Sequence, residues 1–294
     1  MTILTSKETA MSQSHLVIDF PVRGPAHAKA LPDELPPLMP DLAKAQDDLG
    51  TVHFSRFLVE GDEKLLFLSD IDGEVNQHIE RLVASAGPVL DAIFEHVADP
   101  PPSPAADNPE RVGEWLRQHV REPLETYFAF EDASVQDIKA CARAAGFTGT
   151  TSQNPLLTYM TFKSHLRATA LRLVGPALVE KKGREGMETI GTVHVAHWVP
   201  FENDHIGFWT VYDGDMEKYI QDFAKEISVV FDSIFPHVEG APPTPVGKNA
   251  RAFYQWALDS NYPPIGFYSA YPGLSVLDIR ALLADRTSHP ITAG

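Results

Sequence analysis

The sequence repeats itself at a fixed interval, and this repetition constrains the fold more than any other feature. The stretch GTVH at Gly50–His53 returns 141 residues later at Gly191–His194. The same offset relates Asp72-Gly73 to Asp213-Gly214. Further identical pairs at this offset are Phe67/Phe208, Asp91/Asp232, Ile93/Ile234, Phe94/Phe235, His96/His237, Trp115/Trp256, Tyr127/Tyr268, Ser134/Ser275 and Ile138/Ile279. One constant offset over about ninety residues predicts a tandem duplication whose two copies fold alike.

Within each copy the hydrophobic pattern predicts strands mixed with helices. In the first copy, residues 51–60 alternate in polarity and residues 64–70 form a short apolar run, which predicts a β-hairpin. Apolar residues then recur at steps of three and four from Val75 to Val97, which predicts a long helix. The remaining predicted elements are a short helix over 108–120, a strand over 125–132 and a helix over 134–146 with a Ser N-cap and a Gly C-cap.

The segments outside the copies predict less regular structure. Residues 15–20 (HLVIDF) predict a short strand, the Pro-rich residues 31–40 predict an extended arm on the surface, and residues 155–182 predict an amphipathic helical region. The resulting division is an N-terminal arm over 1–48, partly disordered and Pro-rich, a first α+β repeat over 49–147, a helical connector over 148–189 and a second α+β repeat over 190–294.

Strands and helices in this order favour an α+β fold with helices on one face of antiparallel sheets. Two copies in one chain can pair their sheets about a pseudo-twofold axis, as the subunits of a homodimer do. In this organisation, over residues 50–145 and 191–285, the chain resembles the ferredoxin-like, dimeric α+β-barrel superfamily fused into one chain. The resemblance implies a barrel of two ferredoxin-like units with four strands each. Because the pattern gives three strands per copy, we expect the fourth from residues 15–20 or 98–108.

Charge and composition exclude several classes of function. The formal net charge of −16 disfavours binding of nucleic acid. It also argues against a lipid-handling role for a helix over 155–178. No apolar run is long enough for a membrane span, and residues 1–20 lack the pattern of a secretory signal, so we expect no stable membrane insertion and a cytoplasmic location. Cys141 is the only cysteine, so neither an internal disulfide nor a Cys-based zinc site can form.

His53 and His194 hold the same place in the two repeated strands. Alternation of side chains along a strand puts each of them among small residues and beside one aromatic residue. Two interpretations stay open. The imidazole lines a cavity and acts on a bound ligand, or it bonds a neighbouring backbone group or carboxylate and orders the sheets.

Arg56 and His197 are equivalent positions on the opposite, apolar face, which His197 shares with Val193 and Val195. An arginine there would bind an anionic group of a ligand or cofactor, for instance a carboxylate or a propionate. The other interpretation is an edge residue whose stem covers the sheet. Because His194 and His197 are three residues apart in a strand, they point to opposite faces and cannot chelate one metal ion together.

Asp72-Gly73 and Asp213-Gly214 end the predicted hairpins and open the predicted long helices. Since Asp is a good N-cap, a capping role is favoured. The strings SDIDG and TVYDG also resemble, without its first glycine, the GxxDG motif of dye-decolourising peroxidases, which are haem enzymes of the same superfamily. That resemblance implies a haem cofactor with Asp213 above it as a catalytic residue.

His237 ends the predicted long helix of the second copy. One interpretation is a protonated imidazole that the helix dipole stabilises. The resemblance to haem enzymes implies instead that His237 is the axial metal ligand of a haem. Trp198 belongs to a group of aromatic residues in the second copy that favours an apolar pocket in that half.

Two classes of function follow. The first is an oxidoreductase of the α+β-barrel type, either peroxidase-like with haem or a cofactor-independent monooxygenase. It would act on a small apolar or aromatic substrate, with His194, His53, Arg56 and Asp213 as catalytic residues and His237, His197 and Trp198 binding the cofactor. The alternative is a non-catalytic module that binds an apolar ligand or a partner protein. A homo-oligomer fits either class.

Overall fold

The computed structural model describes residues 12–202 and 204–288. The strands of this part are β1 Gln13–Pro21, β2 Val52–Glu60, β3 Lys64–Asp72, β4 Val120–Arg121, β5 Glu125–Phe128, β6 Gln153–Thr161, β7 Val193–Pro200, β8 His205–Asp213 and β9 Ile265–Ser269. Its α-helices are α1 Pro25–Glu34, α2 Met39–Leu49, α3 Val75–Phe94, α4 Pro109–Gln118, α5 Val135–Ala144, α6 His165–Leu178, α7 Arg184–Ile190, α8 Met216–Glu226, α9 Ser228–Ile234, α10 Ala250–Asp259 and α11 Val276–Ser288. Among the described residues, no helix has both the length and the apolar character to cross a membrane.

The strands form two antiparallel sheets, which confirms the α+β class. The first sheet has the order β4-β1-β3-β2-β9 and the second has the order β5-β7-β8-β6. Each sheet therefore receives one strand from the other half of the chain, because β9 joins the first sheet and β5 joins the second. This exchange connects the two halves through backbone hydrogen bonds.

The pairings of one sheet have counterparts in the other. Phe54 of β2 pairs with Ser269 of β9, and Val195 of β7 pairs with Phe128 of β5, so each residue corresponds to another 141 positions away. The strand predicted over residues 15–20 is confirmed as part of β1, which pairs with β3 along its whole length. In the second half, β6 pairs with β8 in the same way.

The helix predicted over residues 155–182 is wrong for its first part, because residues 153–161 form β6. Five consecutive residues of this strand, 156–160, are buried. A strand covered on both faces is apolar at nearly every position, so its sequence also contains helical spacings. The helix α6 begins only at His165.

The extended arm predicted over residues 31–40 is also wrong, since this segment belongs to helices. It contains the end of α1, a 3-10 turn over Pro36–Leu38 and the start of α2. All three elements carry a proline in their first two positions, where the missing N–H needs no partner. Leu31 and Leu35 are buried against the first sheet, so the segment is part of the core.

The two sheets lie face to face, and helices cover their outer faces. One core cluster lies between the first sheet and α1–α4, and another lies between the second sheet and α6–α10. Two further clusters hold residues from both sheets and so lie between them. One of these two apolar clusters contains Val17, Leu58, Leu66, Leu68, Leu157, Tyr159, Val199, Phe201 and Trp209.

The repeated GTVH stretch is a helix end followed by a β-bulge. Gly50 and Gly191 end α2 and α7 in the left-handed conformation, with φ of 65° and 66°. The register of both hairpins then shifts at the histidine. Because the bulge interrupts alternation, the face predicted for Val193 and Val195 is wrong. Val193 packs on the helix side of its sheet, whereas Val195 lies between the sheets.

Trp209 of β8 fits between the sheets only because Gly207 has no side chain. A Cβ at Gly207 would lie 2.6 Å from the Trp209 ring. We expect Gly207→Ala to lower the free energy of unfolding by about 1–3 kcal/mol, since the fully buried Trp209 ring must shift to admit the Cβ. Urea unfolding measures this change. Gly87→Ala is the matched control, because its added Cβ meets no atom closer than 3.8 Å. Equal midpoints for Gly207→Ala and the wild type would contradict the prediction.

Candidate functional site

Four polar side chains meet in the space between the two sheets. His15 of β1, Arg56 of β2 and Asp70 of β3 come from the first sheet, and His197 of β7 comes from the second. The side chains of all four are fully excluded from solvent. We call these residues the inner cluster. Charged groups are rarely buried to this degree unless they are paired, so their geometry decides what the cluster can do.

Asp70 is the centre of the inner cluster. Its Oδ1 lies 2.7 Å from His15 Nδ1 and 2.7 Å from His197 Nε2. Arg56 Nη1 donates a hydrogen bond to its Oδ2, also over 2.7 Å. The rings of His15 and His197 are stacked, with 3.5 Å between centroids and 8° between planes. Both sheets are therefore joined through one carboxylate.

The cluster holds one negative and one positive charge, with both imidazoles neutral. Burial alone would raise the pKa of Asp70, but His197, Arg56 and His15 hold it well below its usual range. Burial and the neighbouring His197 lower the pKa of His15 to about 3. Burial also lowers the pKa of His197. The neutral His15 ring directs its Nδ1–H toward Asp70, so its Nε2 is a free acceptor. His197 Nε2 lies 2.7 Å from Asp70 Oδ1 but lacks the geometry of a hydrogen bond.

Several polar atoms of the cluster have no hydrogen-bond partner among the described residues. They are His15 Nε2, both ring nitrogens of His197, and the donors Arg56 Nε and Nη2. Buried polar atoms are nearly always paired in native proteins, so five unpaired ones in one place need an explanation. The aliphatic and aromatic side chains between the two sheets surround them. The cluster can therefore accept a proton and bind an anion inside an apolar enclosure.

His15, Asp70 and His197 also form the one group of described residues that could supply three ligands to a metal ion. Two features of their geometry disfavour a cation there. The stacked rings are nearly parallel, so their in-plane lone pairs run side by side and do not converge on one point. The guanidinium of Arg56 is already paired with Asp70, so it would repel a divalent cation bound to the same carboxylate.

His53 lies at one end of the apolar region between the sheets. Its hydrogen bonds belong to a chain that has a structural role. Its Nε2 lies 2.8 Å from Asp72 Oδ1, and its Nδ1 lies 2.9 Å from the Tyr271 hydroxyl. The other oxygen of Asp72 accepts the backbone N–H of Val135, the first residue of α5. His53 and Asp72 thus connect a hairpin to the start of a helix.

His194 has the corresponding place in the second half. Its Nε2 lies 2.8 Å from Asp213 Oδ1, and the other oxygen of Asp213 accepts the N–H of Val276 at the start of α11. The predicted cap on the long helices is therefore wrong for both aspartates. Glu74 and Asp215 stand at the N-caps of α3 and α8, while Asp72 and Asp213 bind the first turns of α5 and α11.

The residues assigned to a haem do not face one common space. His237 is exposed in a 3-10 turn after α9. Trp198 packs against helices on the outer face of the second sheet, and His197 points to the inner face. These three side chains therefore do not form one binding site for a planar cofactor.

Sequence reasoning identified Arg56 and His197 but missed His15 and Asp70. The missed residues lie at the ends of largely apolar stretches, His15 at the start of HLVIDF and Asp70 at the end of LLFLSD. A polar residue on the buried face of a strand is a usable signal for a site. The sequence does not show that β1 lies beside β3, which brings His15 opposite Asp70.

No protein-family model matches the sequence, and no curated protein matches it. Among solved structures, a "putative monooxygenase" from Fusobacterium nucleatum has a TM-score of 0.45 at 9% identity, covering 91% of this chain and 98% of that one. A "putative monooxygenase" from Lactobacillus acidophilus has a TM-score of 0.47 at 5% identity, covering 89% and 98%. An "anthrone oxidase-like protein" has a TM-score of 0.27 at 10% identity, covering 90% and 96%. At these scores the likenesses assign no chemistry to this chain.

The two halves predict a stabilising substitution at Phe130. Phe130 holds the place that Tyr271 holds in the other half, and its ring centre is 5.9 Å from that of His194. His194 Nδ1 has no partner among the described residues. A hydroxyl at Phe130→Tyr would supply one, so we expect a gain of about 0.5–1.5 kcal/mol in the free energy of unfolding.

The reciprocal variant Tyr271→Phe is the matched control for this prediction. It leaves His53 Nδ1 unpaired, so we expect a loss of about 1–3 kcal/mol. Chemical unfolding of both variants measures the two changes. A destabilised Phe130→Tyr would show that the enclosure at His194 does not accept a hydroxyl.

The low pKa of His15 predicts a pH dependence of stability. The unfolded chain takes up a proton at His15 below pH 6.5, whereas the native state does so only near pH 3. The free energy of unfolding therefore falls as pH is lowered through this window, by about 1.4 kcal/mol per pH unit from this group. We expect His15→Asn, which keeps a donor for Asp70, to flatten the profile between these values. The exposed His165→Asn should leave the slope unchanged. Equal slopes for His15→Asn and the wild type would contradict a neutral buried imidazole.

Proposed function

We propose that the chain is an oxidoreductase built from two ferredoxin-like units in tandem, which together form one barrel, and that the inner cluster is its active site. The proposal rests on one observation. The inner cluster is fully buried, and His15 Nε2 and Arg56 Nε and Nη2 have no hydrogen-bond partner among the described residues. The substrate class is a small apolar or aromatic molecule with an acidic O–H group. The exchange of β5 and β9 between sheets and the matched registers support the tandem arrangement.

Proton removal is the chemistry that the cluster favours. His15 Nε2 accepts the substrate proton, and Asp70 holds the other side of the ring and stabilises the imidazolium that forms. Arg56 Nε and Nη2 donate to the substrate anion. The anion forms beside the imidazolium and raises its pKa, which offsets the burial that keeps His15 neutral in the free protein.

Dioxygen is the electron acceptor in this proposal. A quinol substrate loses two protons and two electrons, and dioxygen takes up both pairs to leave as hydrogen peroxide. The products are then one quinone and one peroxide for each dioxygen consumed. No haem enters this scheme, since the residues assigned to that cofactor do not converge.

Aromatic side chains support a planar substrate. Tyr159 contacts Trp209, Phe201 and Tyr262, with ring centres 5.0–5.9 Å apart. Tyr159 Oη and Trp209 Nε1 are buried and have no partner among the described residues, so they add polar atoms that a hydroxylated ring could bind.

The cluster gives the barrel one site and not two. In the second half, Pro155 pairs with Val211 where His15 pairs with Asp70 in the first half. The second half lacks both the base and the carboxylate at these positions, so it contributes only His197. We therefore place the activity on the first-half strands.

The test is oxygen uptake with a panel of hydroquinones and naphthols, with peroxide measured in parallel. We expect turnover in the wild type and a loss of at least about a hundredfold in His15→Asn, because a positioned base contributes on that order. Arg56→Met should weaken binding as well as turnover. His165→Asn, far from the cluster and exposed, is the control.

Each contrary outcome of this test has a distinct meaning. Binding of the panel without oxygen uptake would replace the enzyme with the ligand-binding module. Turnover unchanged in His15→Asn would remove the cluster from the mechanism. A Soret band in the purified protein that His237→Ala abolishes would restore the haem interpretation.

A further inference from the structure

The helix α6 exposes its apolar side chains to solvent. Leu166, Leu173 and Val174 are 79%, 78% and 64% exposed. Ala170 and Ala177 lie on the same side of the helix and are also exposed. Seven large apolar side chains are prominently exposed in the described part of the chain, and α6 carries three of them. This concentration is an apolar patch and not the usual scatter of single residues.

The first half shows that the fold does not require this patch. The helix α1 follows β1 as α6 follows β6, and its buried Ala28 corresponds to the buried Ala168. At the places of Leu173 and Val174, α1 carries Asp33 and Glu34, which are exposed. The same position in the same architecture is therefore charged in one half and aliphatic in the other.

The charge of the sequence segment that contains α6 also departs from that of the whole chain, although Lys182 and Arg184 pair with Glu185 and Glu131 outside it. Residues 163–184 contain six basic side chains and one acidic side chain, a formal charge of +5. The matching residues 23–44 of the first half contain three of each. Since the whole chain has a net charge of −16, the rest of it carries −21. Lys163, Arg167, Lys181 and Lys182 are exposed.

We propose that α6 and the basic turn after it dock on the surface of an anionic lipid bilayer. Aliphatic side chains on the outer face of a helix with basic residues beside them are the pattern of an interfacial helix. The helix would lie in the plane of the interface and bury Leu166, Leu173 and Val174 among the lipid chains.

The charges favour this occupant over a second copy of the chain. Two copies joined symmetrically through α6 would bring two segments of +5 together. An anionic lipid surface attracts α6 and repels the acidic remainder, which orients the protein with α6 toward the lipid. Because screening limits these forces to about 10 Å, the local charge decides the contact and the net charge does not.

The test is co-sedimentation of the full chain with vesicles. We expect binding to vesicles of phosphatidylcholine with phosphatidylserine, weaker binding to phosphatidylcholine alone, and release by added salt. The variant Leu173→Asp/Val174→Glu gives α6 the residues of α1 and should lower vesicle binding more than about tenfold. Leu277→Asp, which removes a 62% exposed leucine from α11, should bind as the wild type does.

Three outcomes would overturn the proposal. They are no binding of the wild type to the anionic vesicles, binding that the double variant retains in full, and a dimer in size-exclusion chromatography that the double variant abolishes. Both substituted residues are exposed, so circular dichroism should show an unchanged fold. The test uses no substrate, so its result is independent of the proposed oxidation.

Discussion

The ion pair between Arg56 and Asp70 is the interaction around which the two sheets are organised. Two opposite charges without solvent contact cost more to bury than their attraction returns, unless further hydrogen bonds complete the site. His15 supplies one such bond from β1, and His197 brings a polar contact from the other sheet. Removing one partner would leave an uncompensated charge, which costs about 3–5 kcal/mol. Well-packed apolar side chains in place of Arg56 and Asp70 would give a protein that is no less stable. Stability alone therefore does not explain the ion pair, and we attribute it to function.

Comparison of the two halves separates structural polar residues from those we assign to chemistry. The His–Asp pairs at the bulges occur in both halves, and each aspartate binds the first turn of the corresponding helix. A group needed for folding is needed twice in such an arrangement. The inner cluster occurs once, since Pro155 and Val211 replace His15 and Asp70. The apolar patch on α6 also occurs once.

The sequence predicts the parts of this fold that depend on local pattern. The hairpins, the long helix α3 and the Ser134 N-cap of α5 follow from spacing and capping chemistry. The strand β6 and the helices α1 and α2 do not, because burial on both faces hides the period of β6, and prolines that begin helices look like breakers. For the site, alternation placed Arg56 and His197 on the equivalent face of the two repeated strands. It could not show that β1 adds His15 beside Asp70, since that depends on strand order. Likewise, the net charge of −16 concealed a basic segment around α6.

The stacking of His15 on His197 makes the inner cluster an acceptor of one proton. One nitrogen of each ring lies 2.7 Å from the same carboxylate oxygen, and a charge on either ring opposes a charge on the other. After one imidazole is protonated, the single negative charge of Asp70 is shared between that ring and Arg56. A second proton would have no counter-charge inside the apolar enclosure. Near neutral pH, the proposed mechanism therefore couples two events, because His15 gains its proton as the substrate anion forms next to Arg56. In the proposed mechanism, this coupling allows a histidine with a pKa of about 3 to act as a base at neutral pH.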